Sequence, residues 1–480
     1  MVNKKLTLTK ALRLDQIPAP RVAFVGAGGK TTALFQAARE LAPCIVTTTT
    51  HLGAWQAAEA DEHIVVGEHD SIQECLNLSG YAQEERVVLV TGKRKEERLA
   101  ALTEDQLAQL KDFCDEHFLP LLIEADGARG KPLKAPKAHE PVIPAFVDTV
   151  VVVAGLSGIG KGLEKSVYNA ERFRELGKSN DESVTAEMLA NVLIHSEGGL
   201  KNISPIARKI ALLNQADTPE LQAIGGKIAK ELISKFDAAI VSTFQHSNIP
   251  TFQPFNFQTF EPSAAIILAA GSSSRFGEPK QLLDYHGKPF IRAVAEIALQ
   301  AELNPIVVVT GAEHDKISAV LVDLPVNVVQ NPNWADGQSS SIQIGIEAII
   351  TPSQPPPNSD RWSSYLGEVP RAKRAGGGGG SALFLLADQP QVTPTVIRAL
   401  IEEHARTLHP VIAPMVEDRR ANPVLFDRVT FSALMELKGD IGGRGIFSKF
   451  PPKYIHWNDS GLLFDVDTPE AYKKLIDKDR

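Results

Sequence analysis

Short, almost uninterrupted apolar runs separated by longer stretches of helical period constrain this chain more than any other feature. The first series comprises Val22–Val25, Cys44–Thr48, Arg86–Val90, Leu121–Glu124, Thr149–Val153, Ile210–Leu213 and Ala239–Ser242. Helical patterns such as Thr31–Leu41 and Thr103–His117 lie between them. A strand that is apolar at every position must be covered on both faces, which is the situation of a parallel sheet flanked by helices. A second series begins at Ala264–Leu268 and continues through Pro305–Val309, Val326–Val329, Ala382–Leu386 and Pro410–Pro414. Between the series, 244–262 is rich in Pro, Gln, Asn and Phe and has no periodicity. A chain of 480 residues exceeds the ~100–200 of an ordinary domain. The expectation is therefore α/β throughout, with a P-loop-like parallel-sheet domain over 1–245, a linker over 246–262 and a Rossmann-like domain over 263–480.

Several classes are disfavoured. No run approaches the ~18 apolar residues of a membrane helix, and the lysines near the start are not followed by the apolar segment of a signal peptide. Cys44, Cys75 and Cys114 are too widely spaced for a zinc site and odd in number for a disulfide framework. A net charge of -8 argues against a nucleic-acid partner. A cytoplasmic location without membrane association is expected. The stretch 351–380, with clustered prolines, then Arg371, Lys373 and Arg374, then five consecutive glycines, cannot build a packed core. It reads as a surface insertion, or alternatively as a docking segment for a partner or an anionic cofactor.

Two strand-loop-helix junctions carry phosphate chemistry. In VAFVGAGGKTTALF, Gly26, Gly28 and Gly29 open backbone N–H groups to phosphates, Lys30 can reach the β and γ phosphates, and Thr31 can hold Mg2+. Phe24 stands where the usual first glycine would be, so the loop is one residue shorter, as in Mur ligase phosphate loops; a glycine-rich turn with a solvated lysine is the plainer alternative. Glu124 and Asp126, ending the run LLIEAD, supply a second carboxylate for the metal. ALLNQAD (Asn214, Gln215, Asp217) has the form of the Asn-Lys-x-Asp guanine-reading motif with Gln in place of Lys, and reads equally well as a turn. ATP or GTP is the expected ligand. His51 and His139, lone histidines near loops, are not assigned a role.

In IILAAGSSSRFGEPKQLL, the segment Leu268, Ala269, Ala270, Gly271, Ser272 and Ser273 lets the backbone approach a triphosphate, while Arg275 and Lys280 supply charge for it and for departing pyrophosphate. Asp388 ends a buried strand, where a carboxylate can hold Mg2+ against the α-phosphate. Asp467, next to Asp465 and just before a helix, is a second candidate ligand, although a lone Asp there is as often an N-cap. Asn422, Pro423, Asp440, Gly443 and Arg444 form polar loops suited to an acceptor. Gln338, Ser339, Ser340 and Ser341 are candidates for the base or ribose.

On LAAGSSSRFGEPK, DQP, NPVLF, GDIGGRG and DVDTPEAY, residues 264–475 apart from the insertion resemble the molybdenum cofactor cytidylyltransferases of the nucleotidyltransferase superfamily. The resemblance implies transfer of CMP from CTP to molybdopterin, giving molybdopterin cytosine dinucleotide and pyrophosphate with Mg2+. Related guanylyltransferases read Leu-Ala-Gly-Gly in the first loop, so Ala269-Ala270-Gly271 favours CTP. On GAGGKTT, TTTTH, EADGARGKPLK and NQAD, residues 20–245 resemble the YqeC-type accessory proteins of selenium-dependent molybdenum hydroxylases, which implies an apo molybdenum hydroxylase as partner. The alternatives are a guanylyl- or sugar-phosphate nucleotidyltransferase, or a non-catalytic cofactor chaperone.

Overall fold

The computed structural model describes residues 6–68, 70–79, 85–243, 256–271, 279–350 and 380–478. Two compact units, Met1–Phe260 and Glu261–Arg480, divide the chain.

In the first unit, the principal strands are β1 (Arg21–Gly26), β2 (Cys44–Thr48), β3 (Glu62–Val65), β4 (Val87–Thr91), β5 (Leu121–Glu124), β6 (Thr149–Gly155), β7 (Arg208–Asn214), β8 (Ala238–Ser242) and β9 (Phe257–Phe260). Among the described residues they form one sheet of order β9-β8-β7-β6-β1-β5-β2-β4-β3. All pairings are parallel except β8 with β9. Alternation explains the continuous apolar runs: Val22 and Phe24 enter one core, whereas Ala23 and Val25 enter the other, on the opposite face. Helix α1 (Lys30–Leu41) buries Ala33, Leu34, Ala37 and Ala38, an apolar stripe at helical spacing. Helix α2 (Pro219–Leu232) starts with Thr218 accepting from the Leu221 N–H, with Pro at its first turn, as N-terminal capping favours.

In the second unit, β10 (Ser263–Ala269), β11 (Ile306–Thr310), β12 (Asn327–Gln330), β13 (Ser381–Leu386), β14 (Val411–Val416), β15 (Val424–Asp427) and β16 (Lys453–His456) make the main sheet. Its order is β12-β11-β10-β13-β15-β14, with β16 pairing β14. The strands β12, β11, β10 and β13 are mutually parallel, and β15 is antiparallel to β13 and β14. Ala265 and Ile267 face one core, Ala264 and Ile266 the other. Helix α3 (Phe290–Gln300) covers the first of these cores and α4 (Gln338–Ile350) the second.

The α/β class holds in both units. Four strands were not expected; one of them, β15, follows the Asn422-Pro423 pair of the expected acceptor loop. β3 (Glu-His-Ile-Val) and β16 (Lys-Tyr-Ile-His) are four residues each and mix polar with apolar positions without alternation, so neither shows a clear period. β9, FQTF, buries Phe257 and Thr259 and exposes Gln258; it lies inside the stretch expected to be a linker, and it lengthens the first unit to Phe260. No helix among the described residues is long and apolar enough to cross a membrane. Cys44, Cys75 and Cys114 are all free thiols.

Candidate functional sites at two sheet edges

In a doubly wound sheet, the loops at the carboxyl ends of the strands form the crevice that receives ligands. The register of the first sheet aligns those ends. Phe24 pairs with Glu124, Gly26 with Val153, and Gly155 with Asn214. The loop between β1 and α1 therefore faces the ends of β5, β6 and β7.

Gly26, Gly28 and Gly29 all have positive φ, which favours glycine. Space demands it as well: a Cβ on Gly28 would lie 2.3 Å from the Gly155 nitrogen and 2.5 Å from the Pro132 carbonyl oxygen. The loop is held from behind. The Gly26 N–H donates to Asp126 Oδ2 at 3.0 Å, Ala27 N–H to the Val153 carbonyl at 2.9 Å, and Asn214 Nδ2 to the Gly28 carbonyl at 2.8 Å.

Lys30, the first residue of α1, is buried within a chain of opposite charges. Its Nζ donates to the Asp126 carbonyl and lies 2.5 Å from Asp126 Oδ1 and 3.4 Å from Glu124 Oε1. Asp126 also meets Lys134 Nζ at 2.9 Å, and Lys134 in turn meets Glu140 Oε2 at 2.8 Å. Thr31 Oγ1 donates to Glu124 Oε2 at 2.8 Å and accepts from Gln56 Nε2 at 2.8 Å. Burial by itself disfavours the Lys30 ammonium, but the Asp126 and Glu124 carboxylates more than reverse this and raise its pKa above the ordinary lysine value.

The sign of the resulting pH dependence follows from that raised pKa. Stability contributed by Lys30 is complete below the unfolded lysine pKa of about 10.4, and is lost as pH rises through the higher folded value. The urea midpoint of the first unit should thus show no Lys30-dependent change between neutrality and about pH 10. Above that it should fall, and more steeply than in Lys30→Met. A Lys30-dependent fall beginning near neutrality would contradict the buried ion pair.

The structure brings together Gly26, Gly28, Gly29, Lys30, Thr31, Glu124 and Asp126. Asn214 has a different task from base reading. It is buried, and its Oδ1 accepts from the Gln215 N–H and the Ser242 hydroxyl, so it braces the loop. Asp217 is exposed just before α2. Lys134, Glu140 and Gln56 were not singled out. The first two lie in a proline-rich loop whose charges gave the only signal.

The second site is built the same way. β13 pairs with β10, matching Leu386 to Leu268, and the Ala387 N–H donates to the Leu268 carbonyl at 3.1 Å. This sets Asp388 beside the loop that follows Ala269. Lys280 Nζ lies 2.7 Å from Asp388 Oδ2 and 2.8 Å from Asp467 Oδ1, so residues distant in sequence share one ammonium. Partial burial opposes that charge, and Asp388 and then Asp467 outweigh it, raising the Lys280 pKa. Gln281 Nε2 donates to the carbonyls of Ala269 and Gly271, at 3.2 and 2.9 Å, which ties the loop to its return. Gln389 Nε2 donates to Asp465 Oδ1 at 2.7 Å, leaving Asp467 to face Lys280. Ser272, Ser273 and Arg275 lie outside the described residues, as does 351–379 of the insertion.

Asn422 and Pro423 precede β15, which pairs Val424 with Phe384 in antiparallel fashion; they therefore stand at the same sheet edge as Asp388. Asp440 Oδ1 accepts from the Gln338 N–H at 3.3 Å and thereby caps α4 from another loop. Arg444 is exposed. The hydroxyls of Ser339 and Ser340 donate to backbone carbonyls of Gly439 and Gly337, at 2.7 and 2.8 Å, and Asn331 Nδ2 donates to Ser341 at 2.9 Å. These serines hold loops to one another, and exposed Gln338 is the residue of that stretch open to a ligand.

Among the described residues, no group of three or more His, Cys, Asp or Glu side chains is arranged to hold a metal ion. The carboxylate pair Asp388 and Asp467 nevertheless suits Mg2+, which is commonly bound through one or two carboxylates plus phosphate oxygens and water. Their convergence on the Lys280 ammonium shows that both can address one cation.

Residues 22–171 match the family model described as YqeC protein, and residues 265–454 match the MobA-like NTP transferase domain. The chain is similar to YqeC of Escherichia coli, 30% identical over 204 residues, covering 40% of this chain and 75% of that protein. It is similar to the nicotine blue oxidoreductase of Paenarthrobacter nicotinovorans, 27% identical over 222 residues, covering 44% and 95% of the two chains. A probable molybdenum cofactor guanylyltransferase of Bacillus cytotoxicus is 32% identical over 109 residues, covering 22% of this chain and 54% of that one.

Proposed function

From a chain that belongs to the YqeC family through its first unit and carries a MobA-like NTP transferase domain in its second, we propose a bifunctional protein of molybdenum cofactor maturation. In this reading the second unit transfers CMP from CTP to molybdopterin. The first unit binds ATP or GTP while preparing or delivering the product to an apo molybdenum hydroxylase. The observation that carries the transferase reading is the convergence of Asp388 and Asp467 on Lys280 at the carboxyl edge of the sheet.

The transfer needs no covalent enzyme intermediate. A terminal phosphate oxygen of molybdopterin attacks the α-phosphorus of CTP in line. One P–O bond forms while the bond to the β-phosphate bridging oxygen breaks, and pyrophosphate leaves with the electron pair. Lys280 neutralises charge that grows on the leaving phosphates. The backbone from Leu268 to Gly271 cradles the triphosphate, and Ser272, Ser273 and Arg275 keep the phosphate-binding role read from the sequence. Asp388 and Asp467 would hold Mg2+, which supplies charge neutralisation and Lewis acidity at the α-phosphate. Gln338 meets the nucleoside, and Asn422, Pro423 and Arg444 line the acceptor side. In the first unit, the Gly26–Gly29 loop receives phosphates while Lys30 and Thr31 address their charge and metal.

Ala269-Ala270-Gly271 supports CTP, whereas the similarity to a probable guanylyltransferase keeps GTP as the second reading. Pyrophosphate release should be measured with the purified chain, Mg2+, molybdopterin and either nucleotide. The expected result is faster release with CTP by about tenfold or more, within the discrimination one pocket contact can provide. The reverse order would transfer the assignment to guanylyl transfer. Release with neither nucleotide would remove the transferase reading and favour a cofactor chaperone or the redox chemistry named for the nicotine blue oxidoreductase.

A further inference from the structure

The loop that follows Asp126 carries charge that the nucleotide reading leaves unused. From Gly127 to His139 the sequence contains Arg129, Lys131, Lys134 and Lys137 and no carboxylate, within a chain of net charge -8. The loop is anchored as a structural element. Leu133 and Lys134 pair in parallel with Val167 and Tyr168, and the Ala135 N–H donates to the Tyr168 carbonyl at 3.0 Å. Lys131 Nζ is occupied by the carbonyls of Glu164 and Lys165, at 2.9 and 2.7 Å, and Lys134 by Asp126 and Glu140.

The remaining two cations are not paired in this way. Arg129 and Lys137 are exposed, and their side-chain cations have no carboxylate partner among the described residues. Both nevertheless approach the Tyr168 ring, at 5.5 and 5.3 Å from its centre, and Lys134 lies 5.6 Å from the same centre. Asp126 and Glu140 compensate Lys134, whereas the charges of Arg129 and Lys137 beside the ring are left to attract an anion. Arg129 has φ 49°, a left-handed backbone that costs a non-glycine residue energy and often marks a functional turn.

The position of the loop adds a direction. The Gly155 N–H donates to the Pro132 carbonyl at 2.9 Å, and this carbonyl is the group against which Gly28 packs. The basic loop therefore abuts the phosphate loop on the side of β6. A small internal cavity lined by Gly26, Asp126, Lys134, Pro136, Leu189 and Val192 lies on the inner side of the loop.

We propose that Arg129, Lys137 and Tyr168 form a second anion subsite of the first unit. It receives the phosphate or carboxylate of a small-molecule co-substrate next to a nucleotide held by Gly26–Thr31. The proposal rests on the nucleotide reading for what lies beside the subsite, and on the basic loop alone for the subsite itself.

Inorganic phosphate is a suitable probe, titrated calorimetrically into the full chain with and without saturating Mg2+ and ATP or GTP. With nucleotide bound, the wild-type chain should bind one further phosphate. The double variant Arg129→Ala, Lys137→Ala should bind it at least about tenfold more weakly, since each charge-assisted contact is worth more than a neutral one. Nucleotide affinity in that variant should stay within about twofold. If neither nucleotide binds, the nucleotide reading fails while the subsite remains testable: Lys30→Ala should retain phosphate binding that the double variant loses. Should the carboxylate source be correct, citrate or succinate competes with phosphate more strongly than sulfate does; the opposite order identifies a phosphate ester. The subsite is refuted by a parallel loss of nucleotide affinity in the double variant, which would make these cations part of the nucleotide's own site. Absence of further phosphate binding by the wild-type chain in the tens of millimolar refutes it too.

Discussion

Asp126→Ala is expected to destabilise the first unit by about 3–5 kcal/mol, the cost of removing one partner from a buried ionic cluster. Asp126 is only 2% exposed, and it holds Lys30, Lys134 and the Gly26 N–H at once. Its removal leaves two buried ammonium groups with Glu124 and Glu140 alone and releases the loop that Asp126 anchors. In calorimetry of the whole chain, the transition of the first unit should move down by roughly 6–20 °C, while that of the second stays in place. A shift below about 2 °C would mean that water or rearrangement compensates the cluster, and the ionic account of this loop would be lost.

Asp388→Ala has the opposite profile. Its side chain is one-third exposed and among the described residues pairs with Lys280, so truncation should change stability by less than about 1 kcal/mol. Turnover is another matter. Loss of a group that holds charge at the reacting phosphate costs about 10²–10³-fold when a hydrogen-bond donor is removed, and removal of a metal ligand should reach the upper end of that range or exceed it. Pyrophosphate release should fall accordingly, with the calorimetric transition of the second unit unmoved and Mg2+ affinity in the presence of CTP reduced. Unchanged turnover would sink the assignment of Asp388 as a metal ligand.

The two profiles show what could be read from residues alone. Gly26, Lys30, Glu124 and Asp388 were legible because each sits where an apolar run stops, and the carboxyl end of a buried strand is where a parallel sheet exposes its chemistry. That Lys280 would meet both Asp388 and Asp467 depends on how β10 and β13 pair, which no local pattern encodes. Asn214 looked like a base reader because its neighbours do; only the burial of its side chain behind Gly28 reveals a brace. Ser339 and Ser340 likewise looked available until the loop around Gly439 took their hydroxyls. Lys134 and Glu140 were hidden for another reason. A loop of prolines and lysines reads as solvated surface, and nothing in its spacing says that one ammonium turns inward. β15 hides in a polar acceptor loop because the Asn-Pro pair before it marks a turn, although the residues that follow are apolar.

The strand β9 also decides where the chain can be cut. Ending a fragment at residue 245, where composition alone sets the boundary, would strip β9 from β8 and leave the backbone groups of β8 that face β9 unpaired along an apolar border. Such a border recruits other chains, so the shortened piece would tend to clump even with its nucleotide loop intact. Ending it after Phe260 retains the antiparallel cover. A strand with no part in the chemistry thus determines whether the two halves can be prepared separately for experiment.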